Sequence, residues 1–171
     1  MRCFSLKNNA RIEPIRISED DYKRHLKLLA NRKGLIVHVV DMLDIPGSIY
    51  TGLNAVVGTQ NKIVLCVNKT DMLIGKGKDM PEVAERLNTW IHDVIADTQL
   101  KNVVDAVFVS AKSGLGFAGL RKSIEKHRNN GSVYFVGCTN AGKSSVVNKL
   151  IADFKADAPG SAKRFTTNVT V

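Results

Sequence analysis

The sequence predicts an α/β protein with a parallel sheet that is covered by helices on both faces. Four short apolar segments rich in valine alternate with longer segments whose apolar residues have helical spacing. Parallel strands need a long crossover, usually a helix, so this alternation favours parallel pairing. Strands that are apolar throughout indicate a sheet buried on both faces. The predicted strands are residues 35–41, 63–67, 106–109 and 133–136.

Capping residues and apolar spacing predict the helices. Ser18 and the acidic residues after it begin a first helix, which Gly34 ends. Leu26 and Leu29 lie on one face of that helix. Pro81 begins another helix, with these apolar residues at helical spacing: Val83, Leu87, Trp90, Ile91, Val94 and Ile95. The other predictions are a helix after the third strand to about residue 128, a helix over 143–152 and a loop over 153–171.

The composition restricts the class of partner. The net charge is +9, and residues 1–34 carry nine Lys and Arg against four Asp and Glu. A basic excess favours an acidic partner, most often nucleic acid, although a solvated basic face is the plainer interpretation. Three cysteines without paired spacing argue against a disulfide framework. No apolar run is long enough to span a membrane, and no oligomeric state is predicted.

A glycine-rich segment between the fourth strand and the next helix predicts a phosphate-binding loop. Residues 137–144, Gly-Cys-Thr-Asn-Ala-Gly-Lys-Ser, match the pattern G-x-x-x-x-G-K-[ST]. Its backbone N–H groups point at phosphate oxygens, Lys143 reaches the terminal phosphates and Ser144 ligates Mg²⁺. A glycine turn that merely caps a helix does not explain the Lys-Ser pair. The other predicted phosphate contacts are Gly137, Asn140, Ala141, Gly142 and Ser145.

The segment Asn68-Lys69-Thr70-Asp71 follows the second strand directly. The carboxylate of Asp71 can accept hydrogen bonds from the N1–H and the exocyclic amine of guanine. Adenine lacks this donor pair, so a buried unpaired carboxylate would reject it. The Asn68 amide can brace the loop or the base, and the Lys69 stem can cover the ring. An exposed polar turn is the alternative for this motif alone.

Ser110-Ala111-Lys112, after the third strand, completes the predicted pocket. A backbone N–H near Ala111 can meet the guanine carbonyl and reject an amine. In parallel sheets ligands bind at the carboxyl ends of the strands, and all three motifs follow such ends. Together they favour a guanine-nucleotide site over an ATP site.

The set GxxxxGKS, NKxD and SAK resembles that of the translation-factor-related GTPases. In those proteins the phosphate loop comes first, whereas here NKTD and SAK precede it. This rotated order resembles the circularly permuted GTPases of ribosome assembly. Residues 39–48, 65–73 and 133–150 look most like the YqeH-type group, whose organellar branch is the nitric oxide-associated protein family.

The resemblance implies a parallel-sheet P-loop GTPase fold with circularly permuted motif order, truncated before the switch motifs. It divides the chain into the end of a zinc-ribbon-like segment with a linker helix (1–34), a GTPase core (35–152) and an incomplete start of the switch region (153–171). Cys3 resembles an orphaned zinc ligand of that ribbon, with an incidental exposed cysteine as the alternative. Asn140 matches a residue that helps to bind K⁺ in related GTPases, with an asparagine tolerated in a turn as the alternative.

No catalytic residue is identifiable from the sequence. Asp44-Ile45-Pro46-Gly47 spells D-x-x-G, the motif that senses the terminal phosphate, but it lies too close before Asn68. Asp41 and Asp44 are predicted to shape the loop instead. The resemblance places the true motif beyond Val171, so we expect the parent protein to be the enzyme and this fragment not to be competent.

The resemblance also implies cofactors, partners and a compartment. GTP or GDP, Mg²⁺ and K⁺ are the expected ligands, and the small ribosomal subunit or an rRNA precursor is the expected partner. The implied function is GTP hydrolysis in small-subunit assembly, in mitochondria, with plastids or the bacterial cytoplasm as alternatives. A GTP-gated RNA- or ribosome-binding module with negligible hydrolysis is the alternative function.

Overall fold

The four predicted strands form one parallel sheet in the order β3-β2-β1-β4. The computed structural model describes residues 24, 26, 27, 29, 32–73, 80–98 and 100–157. The strands are β1 (Gly34–Asp41), β2 (Lys62–Asn68), β3 (Val103–Phe108) and β4 (Ser132–Val136). The helices are α1 (Leu53–Val57), α2 (Met80–Asp97), α3 (Phe117–His127) and α4 (Lys143–Asp157), and 3₁₀ turns cover Met42–Asp44 and Thr70–Met72. The predicted α/β class is confirmed.

Apolar residues cover both faces of the sheet, as continuous apolar strands require. Successive strand residues alternate between the faces, so Ile36 and Val40 join one core cluster while Val37 and Val39 join the other. The first cluster includes Leu26 and Leu29, as their predicted face requires. The second cluster takes its helical residues from α3 and α4.

Helix α4 is longer than the sequence predicts. The prediction ended it at Ala152 and began a loop at Asp153, whereas the helix continues to Asp157. Lys149 and Asp153 form an ion pair one turn apart, at 2.7 Å. Phe154 packs against the second core cluster, and the Arg121 guanidinium lies 4.6 Å from its ring centre. These contacts stabilise the extra turn, so the prediction of loop was wrong over residues 153–157.

Several other predictions differ from the structure or lie outside the described residues. Helix α1 was not predicted, because it has only five residues and lacks a side-chain cap. Trp90, predicted on the apolar face of α2, is 37% exposed, whereas Ile91 is fully buried. Cys3, Ser18 and residues 158–171 lie outside the part of the chain that the structure describes.

His38 is a buried histidine in the middle of β1. Its Nε2 accepts a hydrogen bond from the Tyr50 amide at 3.1 Å. Burial lowers the pKa of His38 from 6.5 to about 4; the Val136 backbone opposes this shift and the positive charge of Lys143 adds to it. The folded protein therefore holds the imidazole neutral at a pH where the unfolded chain protonates it.

The stability of the fold should consequently decrease as the pH falls from 6.5 to about 4. Over that window the unfolded state binds more protons, which reduces the free energy of unfolding by about 3 kcal/mol in total. Urea unfolding across the window should show this slope. In His38→Gln, which keeps a hydrogen-bond acceptor, the slope should be reduced. His92→Gln, a change at an exposed histidine, should leave it unchanged, and an unaltered slope in His38→Gln would contradict this account.

Candidate nucleotide site

The three motifs predicted from the sequence lie at the same edge of the sheet. Each loop begins where a strand ends: after Asn68 in β2, after Phe108 in β3 and after Val136 in β4. The strands are parallel, so their carboxyl ends share that edge. Beside them, β1 ends at Asp41, which is paired in register with Asn68. The edge therefore carries the phosphate loop, NKTD and SAK together.

The backbone of the phosphate loop requires its two pattern glycines. Gly137 has φ 152° and Gly142 has φ 91°. A Cβ at Gly137 would overlap the carbonyl oxygen of Val39. A Cβ at Gly142 would overlap the side-chain nitrogen Nδ2 of Asn68. Asn140, exposed at the tip of the loop, has φ 67°, in the left-handed region that asparagine tolerates. The loop thus follows a path against β1 and β2 that only glycine permits at these points.

Lys143 lies across the phosphate loop. Its Nζ donates to the carbonyl oxygens of Gly137 at 2.8 Å and Cys138 at 2.9 Å. Burial lowers the pKa of Lys143. Ser144 and Ser145 are exposed in the first turn of α4, where the backbone N–H groups have no acceptor within the helix. The ammonium, the hydroxyls and these N–H groups form the donor set that phosphate oxygens need.

Asn68 joins the three motifs. Its Nδ2 donates to the Ala141 carbonyl at 3.0 Å, and its Oδ1 accepts a hydrogen bond from the Ala111 amide at 3.1 Å. The side chain is therefore a brace between the phosphate loop and the SAK loop. Because the Ala111 N–H is engaged by Asn68, its predicted contact with a guanine carbonyl stays a prediction.

Asn68→Ala should destabilise the fold as well as the site. Asn68 is 3% exposed, and its removal leaves the Ala141 carbonyl and the Ala111 amide without their partner. Unsatisfied buried groups cost about 1–3 kcal/mol each, so for these two groups we expect a loss of roughly 2–6 kcal/mol in the free energy of unfolding. Urea unfolding measures it. Asn148→Ala, at an exposed asparagine of α4, should change it by less than about 0.5 kcal/mol, and equal effects would refute the brace.

Asp71 is held by the SAK loop. Ser110 Oγ donates to Asp71 Oδ1 at 2.7 Å and accepts from the Ser113 amide at 3.1 Å. Thr70 Oγ1 also donates to the Val109 carbonyl, at 2.9 Å. The carboxylate predicted to identify guanine is thus oriented by the serine of the neighbouring motif. Lys112, the last residue of that motif, is exposed.

The Asp41 side chain shapes the loop after β1, as predicted, whereas the described contact of Asp44 is made by its backbone. The Asp41 carboxylate accepts the Leu43 amide at 3.1 Å and pairs with the Lys69 ammonium. The Asp44 carbonyl accepts the Ser48 amide at 2.6 Å. Sequence reasoning missed the pair between Asp41 and Lys69. The signal for it was the parallel pairing of β1 and β2, which places the last residues of both strands side by side.

The residues present fit a nucleotide with Mg²⁺ better than a metal alone. Among the described residues, no group of three or more His, Cys, Asp and Glu side chains can hold a metal ion. Mg²⁺ is commonly bound through one or two protein ligands together with substrate phosphates, and Ser144 offers such a ligand.

In the same described part of the chain, no helix is both long and apolar enough to cross a membrane.

Comparison with known proteins finds similarity to GTPases, the class that the sequence motifs predict. The family model of the 50S ribosome-binding GTPases matches residues 132–171. The chain is 37% identical over 156 residues to protein YqeH of Bacillus subtilis, with 91% of the chain and 41% of YqeH covered. It is 33% identical over 146 residues to NO-associated protein 1, chloroplastic/mitochondrial, of Arabidopsis thaliana, covering 85% of the chain and 25% of that protein.

A third relative carries a ribosomal name. The small ribosomal subunit biogenesis GTPase RsgA of Vibrio cholerae is 32% identical over 99 residues, which cover 58% of the chain and 22% of RsgA. The chain spans less than half the length of each of these relatives. The strand and loop arrangement, the family model and the relatives agree, and the chain belongs to the YqeH-type GTPases.

Proposed function

We propose that this chain binds GTP and GDP, with Mg²⁺, at the carboxyl edge of its sheet, and that the protein containing it hydrolyses GTP. The observation that carries the proposal is the double hydrogen bond of Asn68 to Ala141 and Ala111. It joins a loop suited to phosphates and a loop suited to a purine in one site. Of the nucleoside triphosphates, GTP fits the donors and acceptors of these loops best.

The residues of the chain divide the work of binding. Lys143 releases the carbonyls of Gly137 and Cys138 and transfers its hydrogen bonds to phosphate oxygens, which are stronger acceptors because they are charged. Asp71, oriented by Ser110, accepts hydrogen bonds from the guanine edge. Ser144 would hold Mg²⁺ together with the phosphates, and the bound ion would neutralise negative charge on the phosphates during phosphoryl transfer.

We assign no catalytic residue among the described residues. In the proposed rotated order, the motif that senses the terminal phosphate follows the phosphate loop. Single-turnover GTP hydrolysis by the intact protein tests the enzyme, and competition of GTP and ATP for a fluorescent GDP analogue tests the base. Tight GTP binding without hydrolysis would instead support the GTP-gated binding module, and equal competition by ATP would contradict the guanine site.

Potassium dependence belongs to the same proposal and rests on Asn140. Its exposed side chain at the loop tip offers a carbonyl oxygen to a cation beside the phosphates. Asn140→Gly tolerates the φ of 67° and removes this ligand. Hydrolysis should be faster in K⁺ than in Na⁺ for the parent protein, and the ratio of the two rates should fall to about one in the variant. An equal ratio in both proteins would exclude this role.

We further propose that the partner is the small ribosomal subunit or its RNA precursor, and that the protein acts in mitochondria. The name of the RsgA relative and the net charge of +9 support the ribosomal partner. The name of the Arabidopsis relative supports an organelle, whereas the Bacillus relative is bacterial. Co-sedimentation of the protein with small subunits, with GTP and with GDP, tests the partner; equal absence from the subunit fraction in both states would contradict it.

A further inference from the structure

A basic hollow lies at the edge of the sheet opposite the nucleotide site. It encloses about 350 Å³ between the amino ends of β1, β2 and β4 and the end of α3. A strand of this length separates the two edges by roughly 20–25 Å. The side chains of Lys33, Lys62, His127 and Arg128 line the hollow, and the rest of its lining is asparagine, glutamine and glycine. Lys33 and Lys62 are exposed.

The charge in and around this hollow is positive. No acidic side chain belongs to the part of its lining that the structure describes. The carboxylate of Asp105 acts electrostatically on His127. Its oxygens accept hydrogen bonds from Ser123 Oγ at 2.6 Å and the Ala106 amide at 2.9 Å. Burial makes the largest contribution to lowering the pKa of His127, and the positive charge of Lys126 makes the next largest. The negative charge of Asp105 raises this pKa, and the positive charge of Lys62 lowers it further. Cations therefore outweigh the carboxylate here.

One residue of the lining, His127, carries a polar atom that still needs a partner. The Nε2 atom of His127 is buried and has no hydrogen-bond partner among the described residues. Buried polar atoms in folded proteins are nearly always satisfied by protein, water or ligand.

We propose that this basic hollow is a second binding site, separate from the nucleotide site, that takes the phosphodiester backbone of RNA. Protein–protein interfaces have an apolar and aromatic centre, whereas the lining residues that the structure describes include no apolar side chain. Nucleic-acid interfaces are polar and positively charged, and most of their hydrogen bonds go to phosphates and sugars from Lys, Arg, Asn and Gln. The chemistry of the lining indicates a phosphodiester backbone. That the RNA is ribosomal rests on the proposed function.

Two single charge reversals test the site in the intact protein. Lys62→Glu and Lys33→Glu are compared with Lys122→Glu, an exposed lysine of α3 outside the hollow. The probe is a fluorescein-labelled RNA hairpin, followed by anisotropy over a salt series. Each hollow variant should weaken RNA binding by about tenfold and reduce the salt slope by about 1, as loss of one phosphate contact predicts. The control should stay within about twofold.

A second measurement separates this proposal from the proposed function. Affinity for a fluorescent GDP analogue, read at the opposite edge, should be unchanged in all three variants. Unchanged RNA binding in both hollow variants with intact GDP affinity would overturn the site while leaving the GTPase standing. Loss of RNA and GDP binding together would overturn the separation of the two sites.

The remaining outcomes concern the partner. Polyglutamate that competes with the hairpin as well as unlabelled RNA does would make the hollow a site for acidic protein and overturn the RNA assignment. A parent protein that binds GDP but neither the hairpin nor small subunits would overturn both this site and the ribosomal partner. In a third outcome the parent protein binds small subunits, and the hollow variants bind subunits and hairpin as well as the parent does. That outcome would overturn the RNA site at the hollow and leave the ribosomal partner standing.

Discussion

Asp71→Asn is expected to move the base preference of the site from guanine to xanthine. Ser110 Oγ holds Asp71 Oδ1 at 2.7 Å, and an asparagine can keep that bond with its carbonyl. Its NH₂ group then occupies the other position, where it opposes the donors of guanine and matches the 2-carbonyl of xanthine. A hydrogen bond to a charged group contributes about 1.5–3 kcal/mol. Loss of the two hydrogen bonds from guanine to the carboxylate should therefore lower GTP affinity by roughly a thousandfold.

Titration calorimetry with GTP and XTP measures the exchange directly. The affinity for XTP should rise in the variant as that for GTP falls, which a merely unfolded protein cannot show. Asp93→Asn, at an exposed carboxylate on α2, is the matched control and should leave both affinities unchanged. Unchanged GTP binding in Asp71→Asn would show that the carboxylate does not contact the base.

Lys143→Ala should remove most of the affinity for the phosphates. The ammonium lies within the loop, where it donates to the carbonyls of Gly137 and Cys138. Truncating one partner of a buried, hydrogen-bonded charge pair costs about 2–5 kcal/mol, which corresponds to a loss of roughly 30-fold to several thousandfold in GTP affinity. Equilibrium binding of GTP to parent and variant measures it.

Guanosine separates this effect from general damage to the pocket. It carries no phosphate, so its weak affinity should be equal in the parent and in Lys143→Ala. Lys122→Ala, at an exposed lysine of α3, should leave the affinities for GTP and guanosine unchanged. A variant that loses guanosine and GTP binding to the same degree would show that Lys143 supports the loop and does not hold the phosphates.

Local patterns in the sequence were sufficient to predict most of the fold. The strand segments are short, apolar and rich in valine, and each observed strand overlaps its predicted range. The errors are at element ends and in short elements. The added turn of α4 depends on Phe154 meeting the second core cluster, and β3 begins at Val103 because that residue pairs with Ile63. Both causes are contacts between segments far apart along the chain.

The sequence also predicted which residue types form the site. A glycine pattern followed by Lys-Ser has one dominant chemical use, and Asp71 after a strand has the acceptors that guanine needs. Which groups contact one another was not readable. Asn68 was open to two interpretations, and the structure shows it bonded to Ala141 and Ala111. The pairing of Lys69 with Asp41 was missed altogether.

Apolar periodicity and motif chemistry depend on neighbouring residues. The sequence by itself therefore determined the α/β class and the approximate strand segments, and it predicted a nucleotide-binding role for the three loops. The tertiary structure alone decided that these loops meet, because parallel pairing brings strand ends from distant positions to one edge. It alone also placed the basic hollow at the other edge, since Lys33, Lys62 and His127 become neighbours only when the strands are side by side.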